Sequence, residues 1–140
     1  MIETLGLLHI GMPVVSTKDA IRWYVDNMGF ELAYETVYRG HEIAENVAFV
    51  RKGDVMLELY EFLGGPQREE VIRSPKLIDH VAYRVADVEK AYAEALRLGL
   101  NIKKEIQDLD FWENGCRYFM VTTANGDTVE YGQTLFVIRP

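Results

Sequence analysis

The stretch Asp79–Gly99, DHVAYRVADVEKAYAEALRLG, repeats the pattern of an earlier stretch, Leu8–Gly29, LHIGMPVVSTKDAIRWYVDNMG. Each copy begins with a His and an apolar residue, alternates as a strand does, and then enters a helical pattern that ends at a glycine. Ser16 and Asp87 are the predicted N-caps of the two helices. The copies are offset by 71 residues in a chain of 140, which predicts two similar halves.

A second repeat closes each half, in the segments GDVMLEL and GDTVEY, whose glutamates are Glu58 and Glu130. His9 and Glu58 are 49 residues apart, and His80 and Glu130 are 50 residues apart. Each of the four residues falls in a predicted strand among apolar neighbours. The matched spacing therefore predicts that each half contributes one His and one Glu to a common set.

The fold class expected from these repeats is α+β, with two tandem βαβββ modules in a single domain that spans residues 1–140. Module one covers 1–64, a linker with Gly-Gly-Pro and several charged residues covers 65–76, and module two covers 77–140. Predicted strands are 5–14, 30–37, 46–50, 55–62, 78–85, 101–106, 116–123 and 128–133, and predicted helices are 17–28 and 88–98.

One stripe of the first predicted helix is expected to face a sheet. Ala20, Trp23, Tyr24 and Met28 recur at helical spacing, which is typical of an amphipathic helix packed on one side. This pattern predicts that all four side chains lie against the strands of module one.

The composition limits the kinds of partner that the chain is expected to bind. The net charge is −7, with 22 acidic and 15 basic residues and no basic run, which argues against a nucleic-acid partner. No apolar run approaches the roughly 18 residues of a membrane span, and the first residues are too acidic for a signal peptide. The single cysteine, Cys116, fits a reducing compartment, so a cytoplasmic protein is expected.

The repeated His and Glu residues favour a metal site. A carboxylate buried in a strand without a partner would cost several kcal/mol, and a divalent cation would remove that cost. Two imidazoles and two carboxylates suit nickel, zinc, cobalt, manganese or ferrous iron. The alternative is that the histidines are core residues with satisfied hydrogen bonds and that the glutamates face solvent from the outer side of the sheet.

On these residues the chain resembles the vicinal oxygen chelate superfamily, which includes glyoxalase I, methylmalonyl-CoA epimerase, extradiol dioxygenases and bleomycin-resistance proteins. The resemblance covers residues 5–133 and is closest to metal-dependent glyoxalase-like proteins. It departs from the glyoxalase signature at Met12 and Trp23, and the Gly-rich segment expected before His80 is absent. The resemblance implies a cup-shaped mixed sheet around one divalent metal, with the ligands His9, Glu58, His80 and Glu130.

The resemblance also implies a reaction. A metal-dependent lyase or isomerase would move a proton through a metal-stabilised enediolate on a small α-hydroxy carbonyl or thioester substrate. Glu130, and after it Glu58, would act as the catalytic base. The alternative function is non-enzymatic binding and sequestration of a small-molecule drug, as in bleomycin resistance.

Several other residues are weaker candidates for a functional role. The arginines that could hold an anionic group are Arg22, Arg39, Arg84 and Arg117, although solvated or ion-paired side chains are the commoner outcome. The loop that begins at Phe111 and Trp112 could close over a substrate or pack on itself, and His41 is expected at the surface. Exposed strand edges in a chain of this size favour a homodimer with twofold symmetry.

Overall fold

A computed structural model describes residues 1–75 and 78–134 of the chain. Among these residues it contains a mixed α+β fold that is divided into two compact units. The N-terminal unit is His9–Asp79, and the C-terminal unit combines Met1–Leu8 with the described residues from His80 onward. The predicted α+β class and the two βαβββ modules are confirmed.

The N-terminal unit holds four strands in the order β2-β3-β4-β1. Strands β1 and β4 run parallel, whereas the other neighbours are antiparallel. Its elements are β1 (Leu7–Pro13, whose first two residues belong to the C-terminal unit), α1 (Thr17–Met28), β2 (Glu31–Tyr38), β3 (Glu45–Lys52), β4 (Val55–Phe62) and α2 (Gly65–Arg73).

The C-terminal unit repeats this plan with the strand order β5-β8-β7-β6. Strands β5 and β8 are parallel, as β1 and β4 are, and the remaining pairs are antiparallel. Its elements are β5 (His80–Arg84), α3 (Val88–Arg97), β6 (Asn101–Leu109), β7 (Cys116–Thr122) and β8 (Thr128–Thr134).

Each unit buries its own core between one helix and one face of its sheet. In the N-terminal unit Val50 and Leu59 are fully buried beneath α1, and in the C-terminal unit Phe119 of the sheet and Val88 of α3 are fully buried. Side chains alternate across a strand, so the opposite face of each sheet is left for other residues. His9, Glu58, His80 and Glu130 lie on that other face.

The caps of the two helices follow the sequence pattern. The side chain of Ser16 accepts a hydrogen bond from the backbone N–H of Asp19, and Asp87 accepts from the N–H groups of Glu89 and Lys90. Gly29 ends α1 in the left-handed region, with φ 70°. These contacts satisfy N–H and C=O groups that a helix leaves unpaired at its ends.

The predicted core stripe of α1 is partly wrong. Ala20 and Tyr24 pack against the core together with Ile21, but Trp23 is 54% exposed and Met28 is 43% exposed. The buried side of the helix is centred on positions 17, 20, 21 and 24, and successive residues turn by about 100°. Trp23 therefore points away from the sheet of the N-terminal unit. Met28 lies at the angle of the buried side, and it is exposed because it is the last residue of the helix.

The segment predicted as a linker contains a helix. Helix α2 begins at Gly65 with a proline in its first turn and ends at Arg73. Proline is favoured at the first helical position because its missing N–H would have no helical partner there. The last residue of the predicted linker, residue 76, and residues 77 and 135–140 of the predicted second module lie outside the described residues.

The described helices have 9 to 12 residues. None of those in residues 1–75 and 78–134 is long and apolar enough to cross a membrane.

Candidate metal centre

The N-terminal unit brings His9 and Glu58 together on adjacent parallel strands. The Nε2 atom of His9 lies 3.8 Å from Oε1 of Glu58. His9 is buried, and the side chain of Glu58 is only 14% exposed. The ring of Phe49 meets the imidazole edge to face at 5.6 Å, which limits the rotation of His9.

The C-terminal unit brings His80 and Glu130 together in the same way. The Nε2 atom of His80 lies 3.7 Å from Oε1 of Glu130. Both residues are buried, with 5% and 7% of their surface exposed. The structure thus places the four predicted ligands as two pairs, one within each unit, at nearly equal separations.

Strand register explains why the two pairs match. Glu58 lies opposite Gly11, two residues after His9, and Glu130 lies opposite Ala82, two residues after His80. Residues two apart on a strand share a face, so each His and Glu meet over a small residue. The extra residue in the second His-to-Glu spacing is absorbed outside the paired strands.

Gly11 and Ala82 are therefore part of the site, and the sequence reasoning did not identify them. The available signal was a small residue two positions after each repeated histidine. A large side chain at either position would occupy the space in which the imidazole and the carboxylate meet.

The donor separations in each pair fit a metal ion. A separation of 3.7 to 3.8 Å is too long for a hydrogen bond. It is shorter than about 4.2 Å, which is twice the usual distance from zinc to imidazole nitrogen or carboxylate oxygen. One ion can therefore contact both donors of a pair. Buried nitrogen and oxygen donors are also the ligand types that first-row divalent metals prefer.

In the N-terminal unit the surroundings of the pair are acidic and phenolic. Tyr60 follows Glu58 by two residues and forms a hydrogen bond with the carboxylate of Asp79. Burial raises the pKa of the Tyr60 phenol well above its usual value, and the charges of Asp79 and Glu58 raise it further. Pro13, Tyr60 and Asp79 line a cavity of about 170 Å³ within this unit.

In the C-terminal unit the surroundings are basic. Lys103 donates to the hydroxyl of Thr128, and Lys104 donates to the hydroxyl of Tyr118 at 3.3 Å. Gly132 takes the position that corresponds to Tyr60, since it follows Glu130 by two residues. A Cβ atom at Gly132 would lie 2.7 Å from a methyl group of Leu8, so glycine permits this close contact.

The weaker candidates differ in their exposure and contacts in the structure. Arg117 forms ion pairs with Asp108 at 2.7 Å and with Glu89 at 3.1 Å, as expected for a surface arginine. His41 is half exposed, as predicted, and lies 3.4 Å from a carboxylate oxygen of Glu45. Phe111, by contrast, is buried.

The sequence of the chain matches a known protein family. The sequence profile of the Glyoxalase/Bleomycin resistance protein/Dioxygenase superfamily matches residues 6–131. Among curated protein sequences, none is significantly similar to the chain.

Several solved structures share the fold. A hypothetical protein from Bacillus halodurans has a TM-score of 0.79 and 22% identity, with 96% of this chain and 97% of that chain covered. A variant of Streptomyces coelicolor methylmalonyl-CoA epimerase, in complex with 2-nitronate-propionyl-CoA, has a TM-score of 0.80 and 17% identity, with 99% and 100% covered. The Mycobacterium tuberculosis methylmalonyl-CoA epimerase has a TM-score of 0.77 and 22% identity, with 95% and 90% covered.

Proposed function

Because the chain belongs to the Glyoxalase/Bleomycin resistance protein/Dioxygenase superfamily, we propose that it is a metal-dependent lyase or isomerase. Its substrate is a small α-hydroxy carbonyl or thioester compound. The observation that carries this proposal is the duplicated buried pair, His9 with Glu58 and His80 with Glu130. The likeness in fold to two methylmalonyl-CoA epimerases supports including thioesters in the substrate class.

The two pairs together form the proposed ligand set of one divalent metal ion. Two imidazoles and two carboxylates suit nickel, zinc, cobalt, manganese or ferrous iron. The bound ion would supply positive charge that stabilises negative charge developing on the substrate oxygens. A buried pair of carboxylates is also more stable beside such a charge than without it.

Glu130 is the proposed base, and Glu58 is the second candidate. A carboxylate base removes the proton from the carbon next to the carbonyl group and returns it to that carbon or its neighbour. Glu130 is the less exposed of the two side chains, so water competes less for its oxygens. Its second oxygen lies 3.5 Å from the ideal Cβ position of Gly132, so it has a residue without a side chain as its neighbour.

Deuterium exchange on variants of the two glutamates tests this function. Protein whose metal content has been measured is incubated with α-hydroxy carbonyl and thioester compounds in deuterated water, and exchange at the carbon is followed by NMR. Glu130→Gln keeps an oxygen donor but loses the base, so exchange should fall by about 10²–10⁴-fold while the metal remains. Glu58→Gln should lose less.

The outcomes that would contradict the proposal are distinct. Equal exchange in the wild type and in Glu130→Gln would remove Glu130 from the mechanism and leave Glu58 as the next candidate. Purified protein that holds no metal and takes none up would overturn the metal-dependent reaction as a whole.

We further propose that the chain forms a homodimer. Strands β2 and β6 each lie at the outer edge of the sheet in their own unit, and α1 exposes Trp23, Val25 and Met28. Open strand edges and exposed apolar side chains are commonly covered by symmetric association. Light scattering on the purified protein should give twice the mass of one 16.1 kDa chain, and the mass of a single chain would contradict this proposal.

A further inference from the structure

Arg84 occupies a distinctive position on the face of the C-terminal unit that carries the His80–Glu130 pair. It is the last residue of β5 and, by strand alternation, shares a face with His80 and Ala82. It lies opposite Gly132, two residues beyond Glu130 on β8. The guanidinium thus belongs to the same face as the proposed metal ligands.

The polar atoms of Arg84 are incompletely paired. Its Nε atom is buried and has no hydrogen-bond partner among the described residues. Its Nη2 atom makes one long contact, 3.5 Å, to the backbone oxygen of Leu5. Within residues 1–75 and 78–134, no carboxylate forms an ion pair with this side chain.

Other arginines of the chain show the contrast. Four of them form ion pairs with carboxylates at the protein surface or close to it: Arg51, Arg68, Arg97 and Arg117. A buried donor that lacks a partner is costly, and a guanidinium is best satisfied by two parallel bonds to a carboxylate or phosphate. Arg84 is therefore arranged to accept an anion that the described residues do not provide.

The corresponding position of the N-terminal unit does not share this property. Pro13 takes the place of Arg84 and Tyr60 takes the place of Gly132, with the carboxylate of Asp79 beside the phenol. Negative charge near Tyr60 would repel an anionic ligand. The cation thus distinguishes one half of the repeat from the other.

We propose that Arg84 binds an oxyanion, a carboxylate or a phosphate, at the far end of the substrate. This inference rests on the proposed function and narrows its substrate class to anionic α-hydroxy carbonyl or thioester compounds. Arg84 and His80 are four residues apart on one strand, which separates their Cα atoms by about 13 Å. The anionic group would therefore lie several bonds from the carbon that exchanges its proton.

The direct test uses metal-free protein and needs no activity. The Nε–Hε resonance of Arg84 is identified by its loss in Arg84→Lys and is followed by NMR during titration with inorganic phosphate and, separately, with succinate. We expect a saturable shift of this resonance, with no saturable shift for the exposed Arg22. A resonance that does not move, or that moves without saturation as Arg22 does, would overturn the proposal.

A second experiment separates this inference from the metal-dependent function. Metal-loaded protein is titrated with acetohydroxamate and with N-hydroxysuccinamate, which carries the same chelating group and an added carboxylate. The wild type should bind the carboxylated probe about tenfold more tightly, or better, since a hydrogen bond to a charged group strengthens binding by roughly that factor. Arg84→Met should lose the preference, Arg84→Lys should keep part of it, and the control Arg22→Met should keep all of it.

The possible results distinguish a failure of the anion site from a failure of the metal-dependent function. Equal affinity of the wild type for the two hydroxamates would keep the metal site and overturn the role of Arg84. Saturable binding of phosphate or succinate at Arg84 in protein that binds neither hydroxamate would support the anion site and contradict the metal-dependent function.

Discussion

The N-terminal and C-terminal units place a His and a Glu in the same register and at nearly the same distance, 3.8 Å in one and 3.7 Å in the other. The two units differ four residues after each His and two residues after each Glu, where one unit has Pro13 and Tyr60 and the other has Arg84 and Gly132. Metal coordination constrains the chemistry and position of the ligands most strongly. The flanking positions are free to diverge and to recognise different parts of a substrate.

If the two pairs are equivalent, losing either histidine should have the same large effect. His9→Ala and His80→Ala should each lower metal affinity by more than the roughly 10–100-fold that is typical of losing an outer-shell partner. In competition titrations with a fluorescent chelator the two losses should agree within about threefold. A large loss in one variant and none in the other would show that a single pair holds the metal.

The same variants should also lose the stabilisation that bound metal provides. An ion at 100 times its Kd adds about 2.7 kcal/mol to the free energy of unfolding. Thermal unfolding should therefore separate the variants from the wild type in added metal and bring them closer together in excess chelator.

The small residues beneath the two pairs should be equally intolerant of bulk. Gly11→Leu and Ala82→Leu place a large side chain between the imidazole and the carboxylate, and overpacking of this kind costs about 1–3 kcal/mol. Metal affinity should fall with it. The control Ala124→Leu, in an exposed turn, should stay within about 0.5 kcal/mol in urea denaturation. Tolerance of leucine at either buried position would contradict the proposed meeting of the side chains there.

How much of this site the sequence could predict depends on the kind of information each feature requires. The repeat identified His9, Glu58, His80 and Glu130 because residue type and spacing can be read directly from the sequence. Their partners across the sheet, Gly11 and Ala82, depend on register, which is set by pairing between strands distant in sequence. The buried, unpaired Nε atom of Arg84 is likewise a property of the folded chain, in which the Nη2 atom of the same side chain contacts the backbone oxygen of Leu5.

The errors in the helices have a similar cause. Trp23 and Met28 have the hydrophobicity of core residues, but the direction of the sheet from α1 leaves Trp23 outside the buried stripe. Met28 is exposed at the last residue of the helix. Helix α2 was missed because Gly64, Gly65 and Pro66 resemble a loop, although proline also begins helices.

A pH experiment tests the difference between Tyr60 in the N-terminal unit and Gly132 at the corresponding position of the C-terminal unit. The pKa of Tyr60 is raised in the folded protein, mainly by burial, so the phenol ionises more readily in the unfolded chain. Its contribution to stability is therefore complete below pH 10, the ordinary pKa, and is lost as the pH rises above that value. The expected slope is up to about 1.4 kcal/mol per pH unit.

The matched variant is Tyr60→Phe, which removes the ionisation together with the hydrogen bond to Asp79. It should be less stable than the wild type by about 1 kcal/mol near pH 8. The difference should shrink above pH 10, as followed by urea denaturation. A constant difference between pH 8 and pH 11 would contradict a raised pKa.

The smallest expected difference concerns the two helix caps. Asp87 accepts two backbone N–H groups and carries a charge at the start of α3, whereas Ser16 accepts one at the start of α1. Asp87→Ala should therefore cost more than Ser16→Ala, within the usual range of about 0.5–2 kcal/mol. Urea denaturation at low and high salt measures both costs, and the difference should decrease in salt. An equal cost at both sites would show that the second bond and the charge add nothing.

The central claim, that the duplicated pairs serve one metal ion, is tested most directly by stoichiometry. Purified protein is stripped with chelator, titrated with zinc or nickel, and analysed for bound metal per chain, with His9→Ala and His80→Ala in parallel. The account predicts one tightly bound ion per chain and its loss in both variants. Two ions per chain, with one retained in each variant, would show that the pairs act separately and would contradict it.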